Sequence, residues 1–126
     1  MTRADLGRWI EAYERAWRRP GTGSLAELFT PDATYSSAPF DEPLRGIEAI
    51  AAFWEAERDG PGEVFTLSFA PVAVDGDVGV ARLEVRYGDP PIRTYRDLWV
   101  VCLDADGQCT AFEEWPFWPG RPRVAE

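Results

Sequence analysis

The chain has 126 residues and a net charge of −9, with 45% hydrophobic and 28% charged residues. That is the balance of one globular domain able to bury a core without metal or disulfide staples. No apolar run of roughly 18 residues is present, which argues against a membrane partner, and the arginines are scattered rather than striped, which argues against nucleic acid. All 13 basic residues are Arg and there is no His, so the commonest general base and metal ligand is missing, as is the Schiff-base amine of Lys. Any catalysis must draw on Asp, Glu, Tyr, Ser, Cys, Arg or water, and neither a metal nor a cofactor is expected.

In chain order, Thr2 to Arg19 reads as a helix. Thr2 and Asp5 form a capping box, and Leu6, Trp9, Ile10, Tyr13, Ala16 and Trp17 recur at helical spacing. A second, short helix opens at Ser24-Leu-Ala-Glu27, again with a capping-box pattern, and Pro31 is expected to end it. Ala33 to Ser37 is a short strand followed by a rigid loop, Pro39 to Pro43. A third helix spans about Gly46 to Arg58, with Ile47, Ile50, Ala51 and Trp54 on one face, and Gly60-Pro-Gly62 breaks the chain after it.

From Glu63 onward the period changes from 3.6 to 2. Strands are predicted over Val64 to Val74, Val78 to Tyr87, Tyr95 to Leu103 and Cys109 to Trp115, with turns at Asp75-Gly-Asp77, Gly88-Asp-Pro-Pro91 and Asp104-Ala-Asp-Gly107. The Pro-rich run Pro116 to Pro122 should not extend the sheet. Helices segregated from a meandering antiparallel sheet define an α+β domain, with three helices on the concave face and a cavity at the open end. One domain over 1–126 is expected, with 119–126 as a tail.

Cys102 and Cys109 flank the last turn symmetrically, so they are expected opposite each other on adjacent strands. With no export signal visible, reduced thiols and a cytoplasmic setting are the expectation. Abundant Arg, Ala, Gly and Pro without Lys hint at a bacterial coding sequence. Ser36 and Ser37 have no His partner, which excludes a hydrolase triad.

The order Asp32-Ala-Thr-Tyr35 after a short helix, Arg45-Gly-Ile-Glu-Ala-Ile50 opening a helix, and Asp104-Ala-Asp-Gly107 in the final hairpin resembles the nuclear-transport-factor-2-like superfamily, in particular its SnoaL-like branch. The resemblance covers nearly the whole chain. It implies a cone-shaped α+β fold with a pocket between helices and sheet, often as a homodimer. It does not imply one activity, because the superfamily holds isomerases, cyclases, dehydratases, hydrolases and non-catalytic binders. Compared with ketosteroid isomerase, the first-helix tyrosine falls on Tyr13 and is retained. The general-base aspartate falls on Ser37 and the protonated aspartate on Trp99, so that isomerase mechanism is not implied.

The same correspondence implies a side-chain parity. With Trp99 inward, Tyr95 and Asp97 follow, as do Thr110, Phe112 and Glu114 on the last strand, while Cys102, Cys109, Glu113 and Trp115 take the other face. On the strand Val78 to Tyr87 it places Arg82 and Glu84 inward, although the apolar set Leu83, Val85 and Tyr87 argues for the opposite parity. The candidate acid–base residues are therefore Asp97, Glu84 and Glu114, with Tyr13 as an oxygen donor. Trp17, Tyr35, Trp54, Arg82, Tyr95, Trp99 and Phe112 are the candidate ligand contacts. Asp97 has two open roles, a desolvated working carboxyl or a structural ion pair with an arginine. The expected ligand is a small apolar molecule with polar oxygens. The competing reading is a non-catalytic binding or dimeric interaction module, for which Trp115, Phe117 and Trp118 would supply an exposed aromatic patch.

Overall fold

The computed structural model describes residues 1–58 and 62–120. Helix α1 (Arg3–Arg18) starts as its sequence dictates: the Thr2 hydroxyl accepts from Asp5 N–H, and the Asp5 carboxylate accepts from Thr2 N–H. Its buried stripe, Leu6, Trp9, Ile10, Tyr13 and Ala16, follows the 3.6 period. Helix α2 (Leu25–Leu28) is a single turn. Ser24 does not cap it through its side chain. Its backbone is helical, and its carbonyl accepts from Glu27 N–H at 3.1 Å, so the turn uses main chain where the pattern implied a hydroxyl. Helix α3 (Ile47–Glu57) runs between Gly46 and Arg58.

Six strands form one sheet: β1 (Phe29–Ser36), β2 (Leu44–Arg45), β3 (Phe65–Asp75), β4 (Val78–Tyr87), β5 (Arg93–Leu103) and β6 (Cys109–Phe117), in the order β2-β1-β6-β5-β4-β3. The sheet curves without closing, and the helices pack on its concave face. The last four strands form the predicted antiparallel meander, while β1 lies parallel to β6. Strand β1 begins at Phe29, so Pro31 sits within it, where the register against β6 shifts between Phe29 and Thr34. Strand β6 runs past Pro116. The β1–β6 ladder ends at Ser36 opposite Glu113, before Pro116, so the missing N–H breaks no bond to β1.

The core lies between α1 and the concave face. Gly79 marks the close approach: a Cβ there would sit 2.8 Å from Met1 Sδ and 3.0 Å from a Leu6 methyl, so the Met1 and Leu6 side chains would have to move aside. The final hairpin turns through Gly107 at φ +81°, a region that glycine enters without steric cost. Asp104 Oδ1 accepts from the N–H groups of Asp106 and Gln108 at 2.9 and 3.0 Å. Among the described residues no helix is long and apolar enough to cross a membrane. The segment from residue 121 onward and residues 59–61 lie outside the described residues.

On the last three strands, two side-chain facings also differ from the sequence reading. Direct cross-strand partners share a face, and β4 pairs Leu83 with Asp97 and Ala81 with Trp99. Because Asp97 and Trp99 point inward, Ala81, Leu83 and Val85 do too, and Arg82 and Glu84 lie on the outer face, as the apolar pattern argued. The second difference is a bulge in β6. Cys102 pairs with Ala111 and Leu103 with Cys109, leaving Thr110 as the extra residue. Thr110 is exposed, its hydroxyl donating to Cys102 O at 3.4 Å, and Cys109 is buried on the inner side. The two cysteines are therefore free thiols on opposite faces rather than facing partners.

Candidate functional site

Between α1, α3 and the concave sheet lies a cavity of about 240 Å³, slightly below the range usual for drug-sized ligands. Its deep end is built by α1 and β1 from one side and by β5 and β6 from the other. Tyr13 comes from the inward stripe of α1 and Tyr35 from the inward face of β1, and their hydroxyls meet at 2.6 Å. One hydroxyl donates to the other, which leaves one phenolic proton for a ligand. Burial raises both phenols well above their ordinary value. Tyr13 also packs on Trp99, with ring centroids 4.6 Å apart.

Asp97 and Glu114 face this aromatic end. Trp99 pairs with Glu114 and Asp97 with Pro116, so the two carboxyls are diagonal neighbours on one face. Asp97 is 4% exposed. Its Oδ2 accepts a long bond, 3.4 Å, from the Trp99 indole, and its buried Oδ1 has no donor. Among the described residues neither carboxyl forms an ion pair with an arginine. Burial and the neighbouring Asp97 push the Glu114 carboxyl up to about 8. Burial also raises Asp97, while interactions with Glu114 and the Trp99 N–H partly offset the rise. A proton on one member of the pair would keep both charges from being buried together.

The outer part of the cavity carries residues that sequence reading did not select. Glu14, Glu57, Glu63 and Arg93 stand around it with Phe53, Phe65, Leu67, Val85 and Tyr87. Glu63 accepts from the Trp17 indole at 2.9 Å, Glu14 is paired with Arg18 at 2.8 Å, and Arg93 lies 4.9 Å from the Tyr87 ring centroid. Glu14 had a faint signal, since it lies one helical turn before Arg18 and beside Tyr13. Phe65 and Leu67 were legible as alternating positions of β3. Glu57, Glu63 and Arg93 come together only through tertiary packing.

Of the sequence-selected residues, Tyr13, Trp17, Tyr35, Tyr95, Asp97, Trp99 and Glu114 line the cavity. Trp54 and Phe112 stand behind its wall. Trp54 lies 4.9 Å from both Tyr13 and Trp17, and Phe112 lies 4.7 Å from Tyr35 and 4.9 Å from Trp99. Arg82 and Glu84 are not in the cavity. Glu84 accepts from Arg86 at 3.1 Å on the outer face, with Arg96 at 3.8 Å. No group of three His, Cys, Asp or Glu side chains among the described residues is arranged to hold a metal.

Residues 10–112 match the profile of the SnoaL-like domain. The chain belongs to the SnoaL-like family. Solved structures agree on the fold. A candidate polyketide cyclase from Sinorhizobium meliloti superposes with a TM-score of 0.66 at 22% identity, covering 91% of this chain and 100% of that one. A steroid delta-isomerase from Pseudomonas aeruginosa gives 0.63 at 21% identity, covering 95% and 82%. A protein of unknown function with a cystatin-like fold, from Methylobium petroleophilum PM1, gives 0.68 at 16% identity, covering 100% and 84%. No curated protein matches the chain in sequence. The chain thus shares the nuclear-transport-factor-2-like fold with these structures.

Proposed function

We propose that this SnoaL-like protein binds a small, largely apolar molecule carrying polar or carbonyl oxygens and acts on it by cofactor-independent acid–base chemistry. The observation that carries this reading is the pair Asp97 and Glu114, which shares one aromatic cavity with no arginine ion pair among the described residues. Two carboxyls whose environments favour one shared proton divide naturally into a base and an acid. Asp97, whose Oδ1 has no donor, takes the base role. Glu114, held protonated near neutral pH, takes the acid role. The spare phenolic proton of the Tyr13–Tyr35 pair can bond a substrate oxygen. Isomerisation, cyclisation, dehydration and hydration all fit this arrangement, and the family's polyketide cyclase and isomerase relatives support it.

The test is a carboxyl-carbon NMR titration of protein labelled at Asp and Glu. One cavity carboxyl should titrate near pH 8 and disappear from that range in Glu114→Gln. If both Asp97 and Glu114 titrate below about pH 5, the shared proton and the acid–base reading fall together.

The same proposal includes a homodimer through the outer face of β5 and β6, where Leu98 pairs directly with Trp115 and both are 40% exposed. Sedimentation should show a dimer that Trp115→Glu dissociates, and a wild-type monomer at high concentration would refute it.

A further inference from the structure

The charge character of the cavity selects among the reactions just named. A site that makes an enolate or another oxyanion needs hydrogen-bond donors and positive charge where the anion forms. Beyond the one spare phenolic proton of the tyrosine pair, this cavity offers the reverse. Its two lining indoles already give their N–H groups to carboxylates, Trp99 to Asp97 and Trp17 to Glu63. The Tyr13 and Tyr35 hydroxyls are bonded to each other, so the two phenols together leave a single, neutral donor. Among the described residues the lining arginine is Arg93, whose guanidinium lies 4.9 Å from the Tyr87 ring centroid.

The walls, in contrast, suit positive charge. Aromatic rings present negative faces, and Tyr13, Trp17, Trp99, Tyr87 and Tyr95 all line the space. Asp97 is buried, and among the described residues its Oδ1 has no donor other than a proton shared with Glu114. With one shared proton, the carboxyl pair carries a single negative charge, and a buried charge is stable only when it is paired. A cationic centre placed between the pair and the rings meets that requirement.

We infer that the cavity is matched to a substrate that becomes electron-poor as it reacts, namely a small apolar alcohol losing water, and not to one that becomes an enolate. The inference rests on the reading of Asp97 and Glu114 as the working pair. Glu114 gives its proton to the substrate hydroxyl, and the C–O bond breaks with its electron pair leaving on oxygen as water. Positive charge develops on carbon against the ring faces and the Asp97 carboxylate. Asp97 then takes a proton from the adjacent carbon, and that C–H pair becomes the new double bond. The pair ends with the proton on Asp97, and its return to Glu114 resets the site. The net change is alcohol to alkene plus water, and the reverse sequence is hydration.

A protonated amine imitates such a centre, so three molecules of one shape read out the preference. Benzylamine, benzyl alcohol and benzoate are titrated at pH 7 against the wild-type protein, following the fluorescence of the lining tryptophans. Benzylamine should bind about tenfold more tightly than benzyl alcohol, and benzoate most weakly. The amine preference should vanish in the double variant Asp97→Asn/Glu114→Gln and persist in Glu84→Gln. Benzoate binding as tightly as benzylamine overturns the cationic reading while leaving the shared-proton titration, and so the acid–base proposal, intact. Failure of all three to bind at millimolar concentration overturns it as well, because the cavity is then not a ligand site for either charge type.

Discussion

Glu84 on β4 and Asp97 on β5 are carboxylates one ladder step apart, since Leu83 pairs with Asp97 and Glu84 with Arg96. That single step separates two chemistries. Glu84 faces outward, where Arg86 at 3.1 Å and Arg96 at 3.8 Å compensate its charge in water. Asp97 is buried against an aromatic cavity, with one long indole bond and a neighbouring Glu114. Residue type therefore says little about acid–base capacity; the face of the strand decides whether a carboxyl is solvated and paired or desolvated and shared. The largest expected effect tests this directly. With a substrate in hand, Asp97→Asn or Glu114→Gln should lower kcat by about 10²–10⁴-fold. Glu84→Gln should change it by less than about twofold, because an exposed ion pair contributes little. Equal losses at Glu84 and Asp97 would break the comparison.

A smaller effect separates the same residues through stability alone. Glu114 is raised from its ordinary 4.5 to about 8, and Asp97 is raised as well. The folded protein therefore holds protons that the unfolded chain releases between these values. Stability from this source is fully present below about pH 4.5 and is lost as pH rises through about 8. Thermal melts should show Tm falling between pH 6 and 9 in the wild type, a flatter profile in Glu114→Gln, and an unchanged slope in Glu84→Gln. A wild-type Tm that rises over this window would reverse the sign and remove the desolvation argument. The groups facing the Glu114 carboxyl are Asp97, Tyr13, Tyr35, Tyr87 and, from α3, Glu57; burial holds the phenols protonated throughout the window.

The parts of this site that could be read in the sequence are those fixed by local periodicity. Tyr13 follows from the helical stripe of α1. Tyr95, Asp97 and Trp99 follow from alternation once one of them is assigned inward. The apolar set Leu83 and Val85 also stated the parity of β4 correctly. Placing Arg82 and Glu84 inside failed because a family correspondence does not transmit a one-residue offset, and on a strand one residue exchanges the faces. The β6 bulge had no visible cue, since Thr110 is an ordinary strand residue on either face. Pro116 in a strand became intelligible only when the end of the β1 ladder was known. Glu57, Glu63 and Arg93 were illegible for a different reason: their shared position depends on how α3, the start of β3 and the start of β5 pack together.

The smallest effect tests the bulge, the second place where a strand changes face. Without it, Cys102 and Cys109 would share the outer face and react alike. With Thr110 displaced from the ladder, Cys109 is buried and its thiol donates to Ala111 O at 3.2 Å, while burial pushes its pKa up to about 12. Cys102 stays partly exposed on the outer side, its thiol also raised by burial but next to solvent. Thiolate fraction and access together set the alkylation rate, so iodoacetamide at pH 8 should modify Cys102 slowly and Cys109 only after unfolding. Intact mass should show one adduct on the native protein and two in denaturant, with Cys102→Ser abolishing the native adduct at a stability cost within about 0.5 kcal/mol. Two native adducts formed at equal rates would place Thr110 back in the ladder. The inward face of β6 would then include Thr110, Phe112 and Glu114 in unbroken alternation, with the carboxyl pair preserved but Cys109 outside the core.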